Sequence, residues 1–211
     1  KNRWHPWTQE PYCVEAYGYI VLCIFASTVF AGGRGISIII TPLVADTISQ
    51  SAVFEESDTL DLYDTNNSRD LRSARTERTR NRPYWKSNIH RGQKILVHTP
   101  LLVIHRMVND ILPLADRLEL QQEAVARLPK ASQYLFIELH GHVENIDKIE
   151  DIIITNSFGI PLGDYNEIRN GVFPETVRLN HACRPNSAYY FNTNTLSHHV
   201  HATKLPPVVR I

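Results

Sequence analysis

The chain has 211 residues, of which 43% are hydrophobic and 21% charged, so it can form a sizeable core and is not a disordered protein. Its 22 basic and 22 acidic side chains balance, which argues against a protein that coats nucleic acid with a generally basic surface. No apolar run reaches the roughly 18 residues of a membrane-spanning helix, since the longest runs, near residues 19–31 and 36–40, are interrupted by Gly and Ser. The first residue is Lys rather than Met, so we expect a fragment or a processed product.

The amino-terminal part of the chain predicts two strands around a glycine turn. Residues 1–17 are rich in Trp, Pro and Tyr, and we expect them to form an irregular lead-in. The apolar run YIVLCIFAS (19–27) predicts a buried strand, and a second strand is predicted at 36–41. The glycines of GGRG (32–35) supply the turn between these strands. A short helix is expected around 44–51.

The cysteines leave two alternatives open. Three cysteines give neither a disulfide framework nor a zinc cluster. Cys13 and Cys23 either pair with each other, which would imply an oxidising compartment, or remain two buried thiols.

The middle of the chain contains the one clear break in composition. Residues 58–67 are acidic and polar, and arginines recur between Arg69 and Arg82. Such a run is typical of a solvated helix face or a linker, and the alternative is a basic arm for nucleic acid or an acidic partner. The run lacks interleaved aromatic residues, so base stacking is not indicated.

Strands are predicted again after this break. KILVH (94–98) alternates as a strand, and Pro100 separates it from a second strand at 101–104. After Gly159 the chain returns to turns and short strands. Strands therefore occur at both ends of the sequence.

Helices are predicted between these strands. Apolar residues recur at helical spacing from 113 to 128, and Pro129 ends that helix. Two further helices are predicted at 131–139 and 146–156. The expected apolar face of the first helix consists of Leu114, Leu118, Val125 and Leu128. Together, the predicted strands and helices indicate an α+β fold whose sheets join distant parts of the sequence.

The segment RLNHACRPNSAYYF (178–191) carries the most specific pattern of the chain. It has the order Asn-His-x-Cys-x-Pro-Asn, formed by Asn180, His181, Cys183, Pro185 and Asn186. This order resembles the carboxy-terminal signature of SET domains.

Three flanking segments extend the resemblance. TNSFGI (155–160) and GVFPETVRLNH (171–181) are similar to segments of fungal SET proteins and of the SET-and-MYND subgroup. RGQKILVHTPLLVIH (91–105) resembles the amino-terminal SET strands. The convincing coverage is about residues 89–204.

The resemblance implies a SET-type fold of small β-sheets around a cofactor cleft, with residues 105–150 as a helical insert. It divides the chain into an amino-terminal extension with the glycine-turn strand pair (1–68), a basic linker (69–88) and a SET-like domain (89–211). That last domain is expected to be truncated at its carboxy-terminal end.

The resemblance also implies a function. SET proteins are protein-lysine methyltransferases that use S-adenosylmethionine, so the expected partner is a protein substrate with a lysine side chain. No specific nucleic acid and no membrane is expected, and the oligomeric state stays unknown. The expected location is nuclear or cytoplasmic, or secreted if Cys13 and Cys23 form a disulfide.

The resemblance assigns the cofactor-binding residues. The side-chain amide of Asn180 and the backbone of His181 are expected to hold the donor, and Asn156 to line the same pocket. The family's glycine-rich loop should lie shortly before Arg91, where this sequence has PYWKSNIHRG without Gly-x-Gly. Either that loop is lost and GGRG is only a turn, or Gly33, Arg34 and Gly35 supply it, with residues 43–88 as an insertion.

The catalytic residue stays unassigned. The family places Gly-Glu-Glu, a hydrophobic strand and a catalytic Tyr after the position of SHHVHATK (197–204), where this sequence has LPPVVRI. We therefore expect weak or no methyl transfer. The alternative function is a catalytically incomplete SET module that acts as a protein-binding or scaffold domain.

The histidines and tyrosines near the carboxy-terminal end are interpreted as strand residues. Alternation along a strand sends His199 and His201 to one face and His198 to the other, and no metal site is expected. Tyr189 and Tyr190 should pack one inward and one outward on a strand. Core packing is the expected role, and the alternative is that one of them lines a lysine channel.

Overall fold

A computed structural model describes residues 3–54, 71–76, 79–85, 90–143, 146–162, 168–179 and 185–203, with the backbone alone described at 71–76 and 79–85. Within these ranges the chain forms eleven strands and six helices. The predicted α+β class is confirmed. No helix in the described ranges combines the length and the hydropathy needed to cross a membrane.

The elements follow one another in a mixed order. The strands are β1 (Tyr12–Ala16), β2 (Ile20–Ser27), β3 (Ile36–Ile40), β4 (Leu71–Thr76), β5 (Thr79–Trp85), β6 (Lys94–His98), β7 (Leu102–His105), β8 (Ser157–Pro161), β9 (Ile168–Val172), β10 (Ser187–Asn192) and β11 (Ser197–Ala202). The helices are α1 (Phe30–Gly33), α2 (Pro42–Ser49), α3 (Val108–Ile111), α4 (Leu114–Ala126), α5 (Lys130–Ile137) and α6 (Lys148–Asn156). Short 3-10 helices cover Ala52–Phe54 and Thr176–Arg178. The predicted strands at 19–27, 36–41, 94–98 and 101–104 and the predicted helices at 44–51, 113–128, 131–139 and 146–156 are confirmed, with no end shifted by more than two residues.

The large sheet has the strand order β1-β2-β3-β7-β9-β8. Its one parallel pair among the described strands joins β3 to β7, with Ser37 opposite Leu102. β3 is buried at every position, as expected for a strand that is covered on both faces. The predicted segments 1–68 and 89–211 therefore contribute strands to the same sheet.

Each face of the large sheet has its own core. Ile39 packs on one face with Leu120 and Phe136 of the helical layer. Its neighbours Ile38 and Ile40 point the other way, because successive side chains of a strand alternate, and they pack with Trp7. The sheet is thus the middle layer of a three-layer arrangement.

Helix α4 buries part of the predicted stripe, since Val125 and the following Leu128 are buried and Leu118 is half-buried. Leu114, expected on the apolar face, is exposed, and the buried residues of the helix are Leu120, Gln121, Ala124 and Val125. The buried stripe thus begins beyond the first turn of the helix.

An ion pair joins two helices of the helical layer. Arg117 of α4 contacts Glu150 of α6 at 2.6 Å.

The small sheet has the order β10-β11-β6 and is antiparallel throughout. It places the strand Lys94–His98 in the same sheet as the strand that follows the Asn-His motif. Its own apolar cluster is small and consists of Ile95, Leu96, Val200 and Ala202, with Leu179 packed against it.

Within the basic segment, residues 71–76 and 79–85 form a hairpin, so the expectation of a helix face is wrong. β4 and β5 pair antiparallel with each other, with Leu71 opposite Trp85. The segment contains residues that favour extended backbone, namely Thr79, Tyr84 and Trp85. The prediction was based on the arginines instead and therefore did not include strands.

The lead-in is not irregular throughout, because residues 12–16 form β1. Each strand position of β1 pairs with β2, and Cys13 lies directly opposite Cys23. The two cysteines form a disulfide, so the alternative of two separate buried thiols is wrong. Cys23 is buried, whereas Cys13 lies exposed on the edge strand.

Candidate functional site

The glycine turn between β2 and β3 has an unusual backbone. Its φ angles are positive at Ala31 (51°), Gly32 (67°), Gly33 (88°) and Gly35 (79°). A side chain is disfavoured in this region, which explains three glycines in four residues and makes Ala31 uncommon. The N–H of Gly33 donates to Val29 O, and that of Gly35 to Phe30 O, so the turn closes on itself.

One side of the turn is anchored and the other is open. A Cβ at Gly35 would overlap the ring of Pro129, and Ser132 Oγ donates to Arg34 O, so this side packs on the start of α5. A Cβ at Gly32 or Gly33 would meet no atom within 4 Å. The open side therefore lets another molecule approach the backbone closely.

Arg34 connects the turn to a distant part of the chain. Its Nη1 and Nη2 donate to the two carboxylate oxygens of Glu175 at 2.8 and 2.7 Å. The pair is bidentate and largely buried, which is the arrangement in which an Arg–carboxylate contact is strongest. Glu175 lies in the segment that leads into Asn180.

His98 lies on the other side of Glu175. Its Nδ1 is 3.8 Å from Glu175 Oε2, and it ends strand β6 of the small sheet. Burial alone would raise the pKa of Glu175, but the charges of Arg34 and His98 and the hydrogen bonds from Arg34 hold that pKa below its ordinary value. Burial lowers the pKa of His98 and outweighs the opposite effect of Glu175. At neutral pH the contact is thus an Arg34–Glu175 ion pair beside a neutral imidazole.

His198 is the register partner of His98 on the neighbouring strand β11. Its side chain is 1% exposed, and its ring stacks on Phe173 with centroids 3.7 Å apart and planes 8° apart. Burial, and to a lesser degree the charge of His199, lowers the pKa of His198 to about 4. The imidazole is therefore neutral at physiological pH.

Aromatic rings surround His198. We call Phe158, Phe173, Tyr189 and Phe191 the aromatic cluster; their centroids lie between 3.7 and 6.0 Å from that of His198. Tyr189 is 56% exposed, so the cluster reaches the surface at this residue. Ring faces of this kind attract cationic groups.

The other face of the small sheet carries a second set of rings. Tyr190, 51% exposed, stacks on His199 and His201 with centroids 4.9 and 5.7 Å away. The predicted alternation of the three histidines is confirmed. The two tyrosines do lie on opposite faces, but the expectation that one of them packs inward is wrong, because both are about half exposed. Within the described ranges, no three His, Cys, Asp or Glu side chains converge in a way that could hold a metal ion.

The residues predicted to bind the donor are only partly described. Asn180 and His181 lie outside the described residues, but both flanks of their segment are described. On one flank, Leu179 packs on the small cluster of β6 and β11. On the other, Asn186 O accepts a hydrogen bond of 2.8 Å from the N–H of Thr203. Both ends of the segment are thus held to the small sheet.

Asn156 has an internal role in this structure. Its Nδ2 donates to Ile152 O and to His140 O, both at 2.8 Å. These bonds satisfy one carbonyl group in the last turn of α6 and one in the segment between α5 and α6. Both N–H groups of the amide are used within the chain, so a ligand would have to contact its oxygen.

Sequence reasoning did not find Glu175, His98 or the surroundings of His198. One signal for Glu175 was present, because it is the only acidic residue between 168 and 179. The sequence gives no comparable signal for His98, because polar residues are common at the ends of strands. No known protein-family model matches the chain, and no curated protein matches it in sequence.

Proposed function

We propose that this chain is a SET-type module that binds S-adenosylmethionine and methylates protein lysine side chains. One observation carries the proposal. The open glycine turn is bonded through Arg34 to Glu175, which precedes the Asn180-His181 pair by five residues. Five residues extend over at most about 18 Å, which supports the proposal that the turn and this pair contribute to one donor site.

The open side of the turn suits the donor in shape. Gly32 and Gly33 leave room for close approach, and the anchored side keeps the turn from moving. The N–H groups of Gly33 and Gly35 are already used, so the turn offers a surface rather than hydrogen-bond donors. Asn180 and His181 would supply the polar contacts. S-adenosylmethionine supplies the methyl group that is transferred.

The aromatic cluster suits a lysine side chain. Tyr189 opens the cluster to the surface, and the ring faces of Phe158 and Tyr189 attract a cationic or partly cationic amine. The neutral imidazole of His198 does not repel it. In-line methyl transfer depends on alignment, which a rigid set of packed rings provides. The proposed partner is therefore a protein that exposes a lysine.

A matched pair of glycine variants tests donor binding. Gly33→Leu fills the open side of the turn, whereas Gly18→Leu places the same side chain at an equally open glycine of positive φ in the β1–β2 hairpin. We expect calorimetric binding of S-adenosylmethionine to be lost in Gly33→Leu and kept in Gly18→Leu. Equal binding by both variants would remove the turn from the donor site.

Methyl transfer is tested separately. Tritium-labelled S-adenosylmethionine and a mixture of lysine-containing proteins are incubated with chain 1–211 and with a form that carries Gly-Glu-Glu, a hydrophobic strand and Tyr after Lys204. Label transfer in the extended form that Gly33→Leu abolishes supports the enzyme. Absence of transfer in both forms contradicts it.

A second function, protein binding without catalysis, is favoured by Asn156. Its N–H groups bind two carbonyl groups of the chain, so they are not available as donors to S-adenosylmethionine. This function predicts that a fluorescent lysine-containing peptide binds chain 1–211, that Tyr189→Ala weakens the binding, and that S-adenosylmethionine does not change it. Stronger peptide binding in the presence of the donor would favour the enzyme instead.

We also propose an oxidising compartment, because a disulfide joins Cys13 and Cys23. The nuclear or cytoplasmic location that the SET resemblance implies is the alternative. Alkylation of the native protein followed by mass spectrometry decides between them, since a disulfide blocks modification of both cysteines until a reductant is added.

A further inference from the structure

We propose that Glu175 is a positioning residue that fixes the segment leading to Asn180 against the glycine turn. It binds Arg34 through both carboxylate oxygens and faces His98 on the other side. This inference rests on the proposed function and specifies how its donor site is held together.

Glu175 lies at the junction of the two sheets. Arg34 belongs to the turn before β3 of the large sheet, whereas His98 ends β6 of the small sheet. The carboxylate contacts both, so it links the sheet that carries the turn to the sheet that carries the aromatic cluster. Because the Arg34 fork is planar, two parallel hydrogen bonds fix direction as well as distance.

The segment after Glu175 is stiff enough to transmit this position. Val177 N–H donates to Phe173 O, and Leu179 N–H donates to Thr176 O. Leu179 then packs on the apolar cluster of the small sheet. A shift of Glu175 would therefore displace the residues just before Asn180 instead of being absorbed in a loose loop.

In the described part of the chain, the guanidinium of Arg34 hydrogen-bonds to Glu175 alone. Its Nε is buried without a hydrogen-bond partner there, whereas both of its Nη atoms bind Glu175. A buried guanidinium that contacts a single carboxylate fits a clamp between two segments better than a broad packing function.

The test compares two buried Arg–Glu pairs. Glu175→Gln removes the charge of the clamp at nearly constant shape. Glu150→Gln makes the same change in the Arg117–Glu150 pair of α4 and α6, which lies in the helical layer and is similarly buried. Amide hydrogen exchange of residues 173–186 and calorimetric affinity for S-adenosylmethionine are measured for both variants.

We expect Glu175→Gln to speed exchange in 173–186 by about tenfold or more and to weaken donor binding by about tenfold. Glu150→Gln should speed exchange in α4 and α6 only. Arg34→Lys, which keeps the charge but loses the bidentate geometry, should show the same local effect in milder form. The double variant Arg34→Glu with Glu175→Arg should restore slow exchange.

Two results would overturn the inference. One is unchanged exchange in 173–186 for both Glu175→Gln and Arg34→Lys. The other is an equal rise in that segment for Glu150→Gln. If no form of the chain binds S-adenosylmethionine, the proposed function fails, and the exchange data still decide whether Glu175 positions the segment. If Glu175→Gln does not fold, hydrogen exchange in Arg34→Lys and in the charge-reversed double variant tests the role of Glu175 instead.

Discussion

The two main sheets differ in what lies on their faces. In the large sheet, β3 and β7 bear apolar side chains toward the helical layer and toward the Trp7 side. The small sheet has one apolar cluster of four buried residues, and four histidines and two tyrosines are among its remaining positions. The difference indicates that the large sheet supplies most of the stability, whereas the small sheet presents groups that can recognise a ligand.

A Leu→Ala substitution in each sheet tests most directly whether the large sheet contributes more to stability than the small sheet. Leu102→Ala opens a cavity at a fully buried residue of β7, and we expect it to lower the free energy of unfolding by about 3–5 kcal/mol. Leu96→Ala lies in the small cluster of β6, which has fewer neighbours to leave unpacked, so about 2–3 kcal/mol is expected. Urea unfolding measures both. A larger loss for Leu96→Ala would reverse the ranking of the two sheets.

The buried side chain of His198 in the small sheet should make the free energy of unfolding depend on pH. The pKa of His198 falls from its ordinary 6.5 to about 4 on folding, so between these values the unfolded chain binds the proton and the folded chain does not. Stability is then fully present above pH 6.5 and is lost as pH falls toward 4, by about 2–3 kcal/mol after allowance for solvent screening. His198→Phe keeps the stack on Phe173 and should lose correspondingly less stability between pH 7 and pH 4. Parallel urea-unfolding curves for the two proteins would contradict this assignment.

The glycine turn allows a finer comparison within one element. Ala at Gly33 meets only the backbone cost of a positive φ, about 1 kcal/mol. Ala at Gly35 meets the same cost and also overlaps Pro129, so a further loss of about 1–3 kcal/mol is expected. Thermal unfolding of the two variants measures the difference. Equal melting temperatures would mean that the turn is not anchored on α5.

The smallest effect concerns two adjacent tyrosines. Tyr189→Ala and Tyr190→Ala each remove ring contacts from a half-exposed residue, and each should cost about 0.5–1.5 kcal/mol. Only Tyr189 belongs to the aromatic cluster, so only its loss should weaken binding of a lysine-containing peptide, as read by fluorescence anisotropy. The same loss of affinity in Tyr190→Ala would place recognition on the other face of the sheet.

Much of the fold could be predicted because its signals are local. The apolar runs of β2 and β3 and the prolines at 100 and 129 mark elements without knowledge of their neighbours. β1 was missed because its alternation is short and lies beside Trp and Pro. The exposure of Leu114 could not be predicted either, since helical spacing does not say which stripe meets the sheet.

The site was harder to predict because its contacts are not local. The turn at 33–35 was singled out by its glycines, but its partner Glu175 lies 141 residues from Arg34. A single sequence carries no signal for such a pairing. The same holds for His98 and His198, which become neighbours only because β6 and β11 pair.

The pairing of β3 has a consequence for synthesis on the ribosome. β2 and β3 are close in the chain and can pair early, but the other edge of β3 waits for β7, which begins at Leu102. At about 5–20 residues per second, several seconds pass before that partner is made. During this interval the segment ISIII presents an unpaired apolar edge, the kind of strand that associates with other chains. The nascent chain therefore needs its long middle segment to emerge quickly, or a chaperone to cover Ile36–Ile40 until it does.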